Sequence, residues 1–399
     1  MRVPYAQSTH GEEEIEAVVS VLKNNTALGP QTNEFESAIA AMFGKKHGIM
    51  VNSGSSANLL AFEVLNLNPG DEVITPLLTF GTVVAPIIQK GLVPVFVDVE
   101  EGTYIVNTDA VEAAITQKTK VLMIPSLLGN IPNLEELQRI AKENDLWLIE
   151  DSCDTLGATY NGKPTGEYSH ITTTSFYGSH IINGAGGGGM ILVNDEKLAE
   201  RLVILRGWGR KSSLYGETAT SELLENRFEV ELDGVEYDNK FVFSEIGYNF
   251  LPLEISSAFG LVQLTRFPKF SESRKKNYAD LKEFIKQYEE FFILPKQTPN
   301  TTTNWLAFPV VIRDNAPFNR KEFATYLEEQ GIQTRPIFTG NILKQPAFKN
   351  IEHRLAEKEY PNTEVIMRGG MVFGCHQGLS DEQITFMKKT MSEFIEKHQ

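Results

Sequence analysis

A chain of 399 residues can bury two cores, and 41% hydrophobic with 22% charged residues is the balance of a globular protein. The formal net charge of −15 argues against a nucleic-acid or anionic-membrane partner, because neutralising phosphate needs a surplus of Lys and Arg. Two cysteines, Cys153 and Cys375, are too few for a disulfide framework; with no leader-like start and no stretch near ~18 apolar residues, the chain reads as cytoplasmic.

The first half alternates short apolar runs with helical patterns. Strands are expected at Gly48–Val51, Glu72–Thr75, Val93–Val99, Val121–Pro125, Leu146–Asp151, Thr172–Phe176 and Gly189–Val193, with helices such as Ser56–Leu65 and Leu134–Asn144 between them. This alternation predicts an α/β architecture: crossover units on a mostly parallel, seven-stranded sheet with helices on both faces. Ligands on such sheets bind beyond the carboxyl ends of the strands, so the residues just after each run matter most. The polar, acid-rich Gly209–Asn239 reads as a surface loop or hairpin, and Leu253–Ile285 as a linking helix that Pro268 kinks or divides. After Pro295 the pattern is α+β: a strand Asn304–Ile312, a helix Arg320–Gln330, an extended Gln333–Ile337 and a closing helix Asp381–Lys397. The reading is a large domain over residues 1–252, then a linker helix and a smaller α+β domain over 253–399.

Several post-strand segments carry residues suited to an anionic ligand. Asn52-Ser53-Gly54-Ser55-Ser56-Ala57-Asn58 follows a strand and opens a helix, where free NH groups and hydroxyls form an anion site, although a plainly capped helix start has the same look. Phe80 follows the next strand, a position where a phenylalanine taken alone is more often a core residue. Leu148-Ile149-Glu150-Asp151-Ser152-Cys153-Asp154 ends a strand in a carboxylate. Farther on, Thr174-Ser175-Phe176-Tyr177-Gly178-Ser179-His180 precedes a glycine cluster at Gly184 and Gly186–Gly189.

In this order, and across essentially the whole chain, these segments resemble the DegT/DnrJ/EryC1/StrS family of sugar-nucleotide aminotransferases. The resemblance implies a fold like that of aspartate aminotransferase (fold type I) and pyridoxal 5'-phosphate (PLP) as cofactor. It implies a phosphate loop at Gly54, Ser55 and Ser56, an aromatic stacking residue at Phe80 and a pyridine-nitrogen carboxylate at Asp151. Ser175 would contact the phosphate, and Asn249 would reach the phosphate of a neighbouring subunit's cofactor, implying a homodimer with shared sites. Asp154 stands where the family carries Gln or His, near the ring hydroxyl. Leu251 replaces a frequent family arginine, so no role passes to it.

One position departs decisively. The family's PLP-binding lysine is replaced by His180, and no lysine lies between Lys163 and Lys197 to take its place. Imidazole cannot hold PLP covalently, but an ordinary pKa near 6.5 suits it to moving protons. A histidine in this slot resembles the family's 3-dehydratase branch, which uses the amine form, pyridoxamine 5'-phosphate (PMP). Arg206-Gly207-Trp208-Gly209-Arg210 and Thr334-Arg335-Pro336-Ile337-Phe338-Thr339-Gly340-Asn341 match the same branch. They nominate Arg210, Arg335 and Asn341 for a sugar diphosphate, although a surface turn is the plainer account of the last segment.

One subgroup of that branch needs an iron–sulfur cluster and a reductase. Two cysteines cannot supply four ligands, so no metal and no reductase partner are expected. The implied activity is C3 dehydration of a nucleotide-linked 4-keto-6-deoxyhexose, of the GDP-4-keto-6-deoxymannose type, with L-glutamate as amino donor. It would serve the making of a 3,6-dideoxysugar such as the colitose of lipopolysaccharide O-antigen. An aminotransferase that tolerates histidine and a non-catalytic sugar-nucleotide binding protein are the alternatives.

Overall fold

The computed structural model describes residues 1–216, 227–228 and 230–398. The first half of the chain gives seven strands of the large sheet: β1 His47–Val51, β2 Glu72–Pro76, β3 Val93–Val97, β4 Thr119–Pro125, β5 Trp147–Asp151, β6 Ile171–Ser175 and β7 Gly189–Val193. Their order is β1-β7-β6-β5-β4-β2-β3, with β7 antiparallel to both neighbours and the other pairs parallel. The central strands are apolar on both faces because both are covered. Val73, Val121 and Ile149 pack with the helices Gly54–Glu63 and Glu196–Arg206, while Ile74, Leu122 and Leu148 pack with Leu134–Glu143.

The sheet has eight strands rather than the expected seven. Arg354–Leu355, from the C-terminal part of the chain, pairs in parallel with the outer edge of β3. Two residues, one of them charged, carry no strand pattern. They are placed by tertiary contacts: Arg354 binds both carboxylate oxygens of Glu72 at 2.9 Å, and the Ala356 amide donates to the Phe96 carbonyl at 3.1 Å.

The long helix runs as one element over Glu254–Lys286, so Pro268 does not divide it. Buried Gln263 before the proline, and Phe270 and Arg274 after it, hold the helix against both cores, which tolerates one missing backbone bond. Beyond it, Phe292–Ile293, Phe308–Ile312, Gly370–Phe373 and Thr334–Pro336 form an antiparallel sheet, flanked by the helices Arg320–Glu329, Pro361–Gly369 and Asp381–Glu396. The strand expected from Asn304 begins only at Phe308, because Trp305 takes a positive φ of 24° and the Leu306 amide is drawn to the Leu128 carbonyl, in the turn after β4, at 2.8 Å.

The core of this C-terminal part also takes Val3, Leu78, Tyr104 and Leu128 from the first 252 residues. The polar excursion shows a hairpin, Val230–Leu232 with Val235–Tyr237, while its residues 217–226 and 229 lie outside the described residues. No described helix is long and apolar enough to cross a membrane.

Candidate active site

Beyond the carboxyl ends of β2, β4, β5 and β6 lies a cavity of ≈ 380 Å³. Gly54, Ser55, Phe80, Asp151, Asp154, Ser175 and His180 all line it, so the parallel sheet brings together seven of the residues singled out above. Tyr5, Leu306 and Phe338 complete its walls from the two ends of the chain.

One end of the cavity is the start of helix Gly54–Glu63. Ser53 caps it, accepting from the Ser56 amide at 3.1 Å, and the positive end of the helix faces the cavity. Gly54 must be bare. A Cβ there would meet the Ser175 Cβ at 2.7 Å and the Cys153 sulfur at 2.9 Å, so the loop and β6 approach closely enough to cradle a phosphate. Ser56 turns away, its hydroxyl donating to Asn52 Oδ1 at 2.7 Å.

At the other end stands Asp151, the last residue of β5. Asn58 Nδ2 donates to one of its oxygens at 2.8 Å and the Cys153 amide to the other at 3.0 Å, and Thr173 in turn donates to Asn58 Oδ1 at 2.7 Å. A carboxylate oriented in this way suits a protonated ring nitrogen. Phe80 forms a wall, half exposed and edge-on to Phe338 with centroids 5.9 Å apart. Asp154 is buried and accepts from the Leu128 amide at 2.8 Å, holding a residue with φ of 59°. Burial first, and then the nearby Asp151 charge, push the Asp154 carboxyl up from 3.8 to about 7.

His180 faces the same space, in the loop between β6 and β7. Its Nδ1 lies 3.2 Å from the Ser175 carbonyl. A carbonyl only accepts, so Nδ1 carries the proton and Nε2 offers its lone pair. Burial lowers the pKa below the ordinary 6.5, outweighing the Ser175 carbonyl and the Asp151 charge, and the buried Arg274 acts in the same direction as burial. The imidazole is therefore a neutral base at pH 7. Cys153, also on the wall, is held well above the usual thiol range by burial and by Asp151, and stays protonated.

Residues 8–391 match the DegT/DnrJ/EryC1/StrS aminotransferase family. The chain belongs to that family. It is 36% identical over 396 residues to a dTDP-4-dehydro-2,6-dideoxy-D-glucose 3-dehydratase of Saccharopolyspora spinosa, spanning 97% of this chain and 85% of that one. It is 34% identical over 392 residues to a GDP-4-keto-6-deoxy-D-mannose 3-dehydratase of Yersinia pseudotuberculosis, spanning 96% of each. A solved GDP-4-keto-6-deoxymannose-3-dehydratase with a trapped PLP-glutamate geminal diamine is similar with a TM-score of 0.86 and 30% identity, over 98% of this chain and 100% of that one. The fold is that of the PLP-dependent aminotransferases, as the resemblance implied.

Four nominated residues lie off the cavity wall besides Ser56. Asn249 is exposed, on a segment bridged to Gly207. Arg210 stacks over Trp208 at 4.2 Å, and its Nη1 reaches the Lys240 carbonyl at 3.5 Å. Arg335 is half exposed and 5.8 Å from the ring of Tyr5. Asn341 is buried with its side chain engaged, donating to Glu364 at 2.8 Å and accepting from the Leu343 amide at 3.0 Å. Sequence reasoning overlooked Tyr5, Leu306 and Phe338 as cavity residues, since no local motif signals a wall assembled from distant segments. Asn58 stood within a quoted motif, and one helical turn from Gly54 was the signal that it shares the loop's face.

Proposed function

We propose that this protein removes the C3 hydroxyl of a nucleotide-linked 4-keto-6-deoxyhexose, of the GDP-4-keto-6-deoxymannose type, using PLP/PMP and L-glutamate. The observation that carries the proposal is His180, a cavity-lining imidazole whose Nδ1 faces the Ser175 carbonyl and leaves Nε2 as its basic nitrogen, at the position where the family resemblance expects a lysine. The residues present fit the cofactor, with a bare, amide-rich cradle at Gly54 and an oriented carboxylate at Asp151. When bound, PLP supplies an electron sink and a carrier for the glutamate amino group.

The chain's own residues supply the rest. The first turn of helix Gly54–Glu63 and Ser175 hold the phosphate, Asp151 keeps the ring nitrogen protonated, and Phe80 covers a ring face. Asp154, with a carboxyl at about 7 and so only partly ionised at pH 7, would sit near the ring hydroxyl without adding a full negative charge. Nε2 of His180 would act as the base at the reacting end of the cavity, taking up a proton and returning one as the sugar hydroxyl leaves as water. In the net reaction the sugar loses one oxygen atom, while glutamate becomes 2-oxoglutarate and ammonia, so atoms and electrons balance without a reductase. Only two cysteines occur in the whole chain, which leaves a four-cysteine cluster without ligands.

The reading includes a homodimer. Tyr177 beside the cavity and Phe241, Phe243, Ile246 and Leu253 around Asn249 are exposed large hydrophobics, Ile246 at 96%. A second copy covering them would bring its Asn249 toward the phosphate site. Arg210, Arg335 and Asn341 would border the sugar diphosphate. The chain divides on this reading into a cofactor-binding part, residues 1–252, and a closing part, 253–399, acting in the cytoplasm on a 3,6-dideoxysugar precursor. Turnover of a panel of 4-keto-6-deoxysugar nucleotides with L-glutamate and no reductase tests it. Ammonia and 2-oxoglutarate should form together; a stable amino-sugar would instead make the protein an aminotransferase.

A further inference from the structure

Tyr5 stands out in the cavity because nothing in the proposed chemistry uses it. The N-terminal segment is threaded along the C-terminal part of the chain: the Val3 amide donates to the Gly331 carbonyl at 2.9 Å, and the Gln333 amide donates to the Val3 carbonyl at 2.9 Å. His376 Nε2 holds the Pro4 carbonyl at 3.1 Å, and the Tyr5 amide donates to Gln333 Oε1 at 3.2 Å. Gly374 admits the segment, since a Cβ there would meet the Pro4 carbonyl oxygen at 2.6 Å. All this backbone anchoring places a phenol whose oxygen has no hydrogen-bond partner among the described residues, on the wall that also carries Asp154 and His180.

The charges around that phenol are unusual. Arg274 is fully buried, yet its guanidinium meets only neutral acceptors: Gln377 Oε1 at 2.7 Å and the carbonyls of Trp305 and Leu306 at 3.0 and 3.1 Å. It makes no ion pair among the described residues, so its charge is uncompensated behind the cavity wall at Leu306. Arg335 lies over the Tyr5 ring at 5.8 Å, with its nearest carboxylate, Glu328, 3.8 Å away. Both guanidinium groups act on the phenol, and burial with the Asp154 charge keeps it protonated, hence a hydrogen-bond donor. An anion placed here is attracted by both cations and opposed by Asp154 to the extent that its carboxyl, pushed up to about 7, is ionised, whereas a neutral sugar hydroxyl gains little from either cation.

We propose that Tyr5, backed by Arg274 and flanked by Arg335, is the subsite that receives a carboxylate of the amino-acid donor. This rests on the proposed function, in which glutamate and the sugar nucleotide occupy the same cavity in turn, so that Arg335 meets the carboxylate in one half-reaction and borders the diphosphate in the other. Tyr5 is then a substrate-contacting residue, and Arg274 a positioning residue acting through the field it sets.

The test separates the two halves of the reaction. Tyr5→Phe keeps the ring and removes an oxygen the fold does not use, so its thermal unfolding should match the parent. Conversion of the PLP-loaded protein by L-glutamate is followed by cofactor absorbance, and binding of glutarate, an unreactive dicarboxylate, by calorimetry. Loss of one hydrogen bond to a charged group should weaken both by about tenfold or more, and Arg335→Gln should weaken glutarate in the same direction. The sugar-nucleotide KM of protein preloaded with PMP should not change in Tyr5→Phe. Unchanged glutamate and glutarate responses overturn the proposal, and a raised sugar KM instead assigns Tyr5 to the hexose. If the parent takes no glutamate yet binds glutarate in a Tyr5-dependent way, the subsite stands and the dehydratase reading falls.

Discussion

Asp154 offers a stability measurement that needs neither cofactor nor substrate. Its carboxyl is buried beside Asp151 and lies at about 7, against an ordinary 3.8. A raised carboxyl keeps its proton longer in the folded chain than in the unfolded one. Between about pH 4 and pH 7 the folded state therefore binds more protons, and stability falls as pH rises. At about 1.4 kcal/mol per tenfold change in proton affinity, ionising Asp154 costs the fold up to about 4 kcal/mol above pH 7. Asp154→Asn removes that charge while its amide oxygen can still accept from the Leu128 amide, now 2.8 Å from the carboxylate. The amide NH2 gains a need for a partner, which costs about 1–3 kcal/mol at every pH if unmet. Urea unfolding of the apoprotein at pH 5 and pH 8 isolates the pH-dependent part: the stability of Asp154→Asn relative to the parent should rise by roughly 2–4 kcal/mol between the two pH values. Parallel curves for parent and variant would refute the assignment of a high pKa to this carboxyl.

Replacing His180 by Lys should let the protein hold PLP covalently, fixed by borohydride and seen as added mass, with dehydration weakened or abolished; unchanged turnover would sink the base assignment. Replacing His180 by Asn should keep cofactor binding, followed by absorbance, and lose deoxygenation. Because burial lowers the imidazole pKa below 6.5, the base form persists into mild acid, so the His180-dependent acid limb of kcat/KM should fall below pH 6.5; a limb at pH 7 or above contradicts the buried, neutral imidazole. Ile246→Asp, at a side chain 96% exposed, should shift sedimentation from dimer toward monomer and weaken PLP retention, while a dimer of unchanged strength would remove this patch from the interface.

Most of the large sheet was legible because strands covered on both faces read as short apolar runs, β6 (Ile171-Thr172-Thr173-Thr174-Ser175) being the exception; all seven were found within about two residues of their observed ends. The eighth, Arg354–Leu355, was not, because an ion pair to Glu72 and backbone bonds to β3 place it rather than any apolar pattern of its own. Of the two outcomes expected at Pro268, a kink or a break, the break does not occur: local chemistry disfavours proline inside a helix, but buried residues on both sides keep it one element. Seven nominated site residues meet in one cavity, since rule-bound topology puts the ends of adjacent parallel strands together. Arg210, Arg335 and Asn341 had no such rule to place them, and Asn341 proved to spend its side chain on a turn and on Glu364.

By itself, then, the order of residues determined the α/β sheet, the family, the glycine–serine turn at Gly54 and the histidine at position 180, all of them carried in short contiguous segments. Tertiary structure alone decided the state of that histidine. Its tautomer depends on the Ser175 carbonyl five residues back, and its neutrality on burial. It alone also brought Tyr5 and Arg274 to the cavity, across sequence separations that no local pattern encodes.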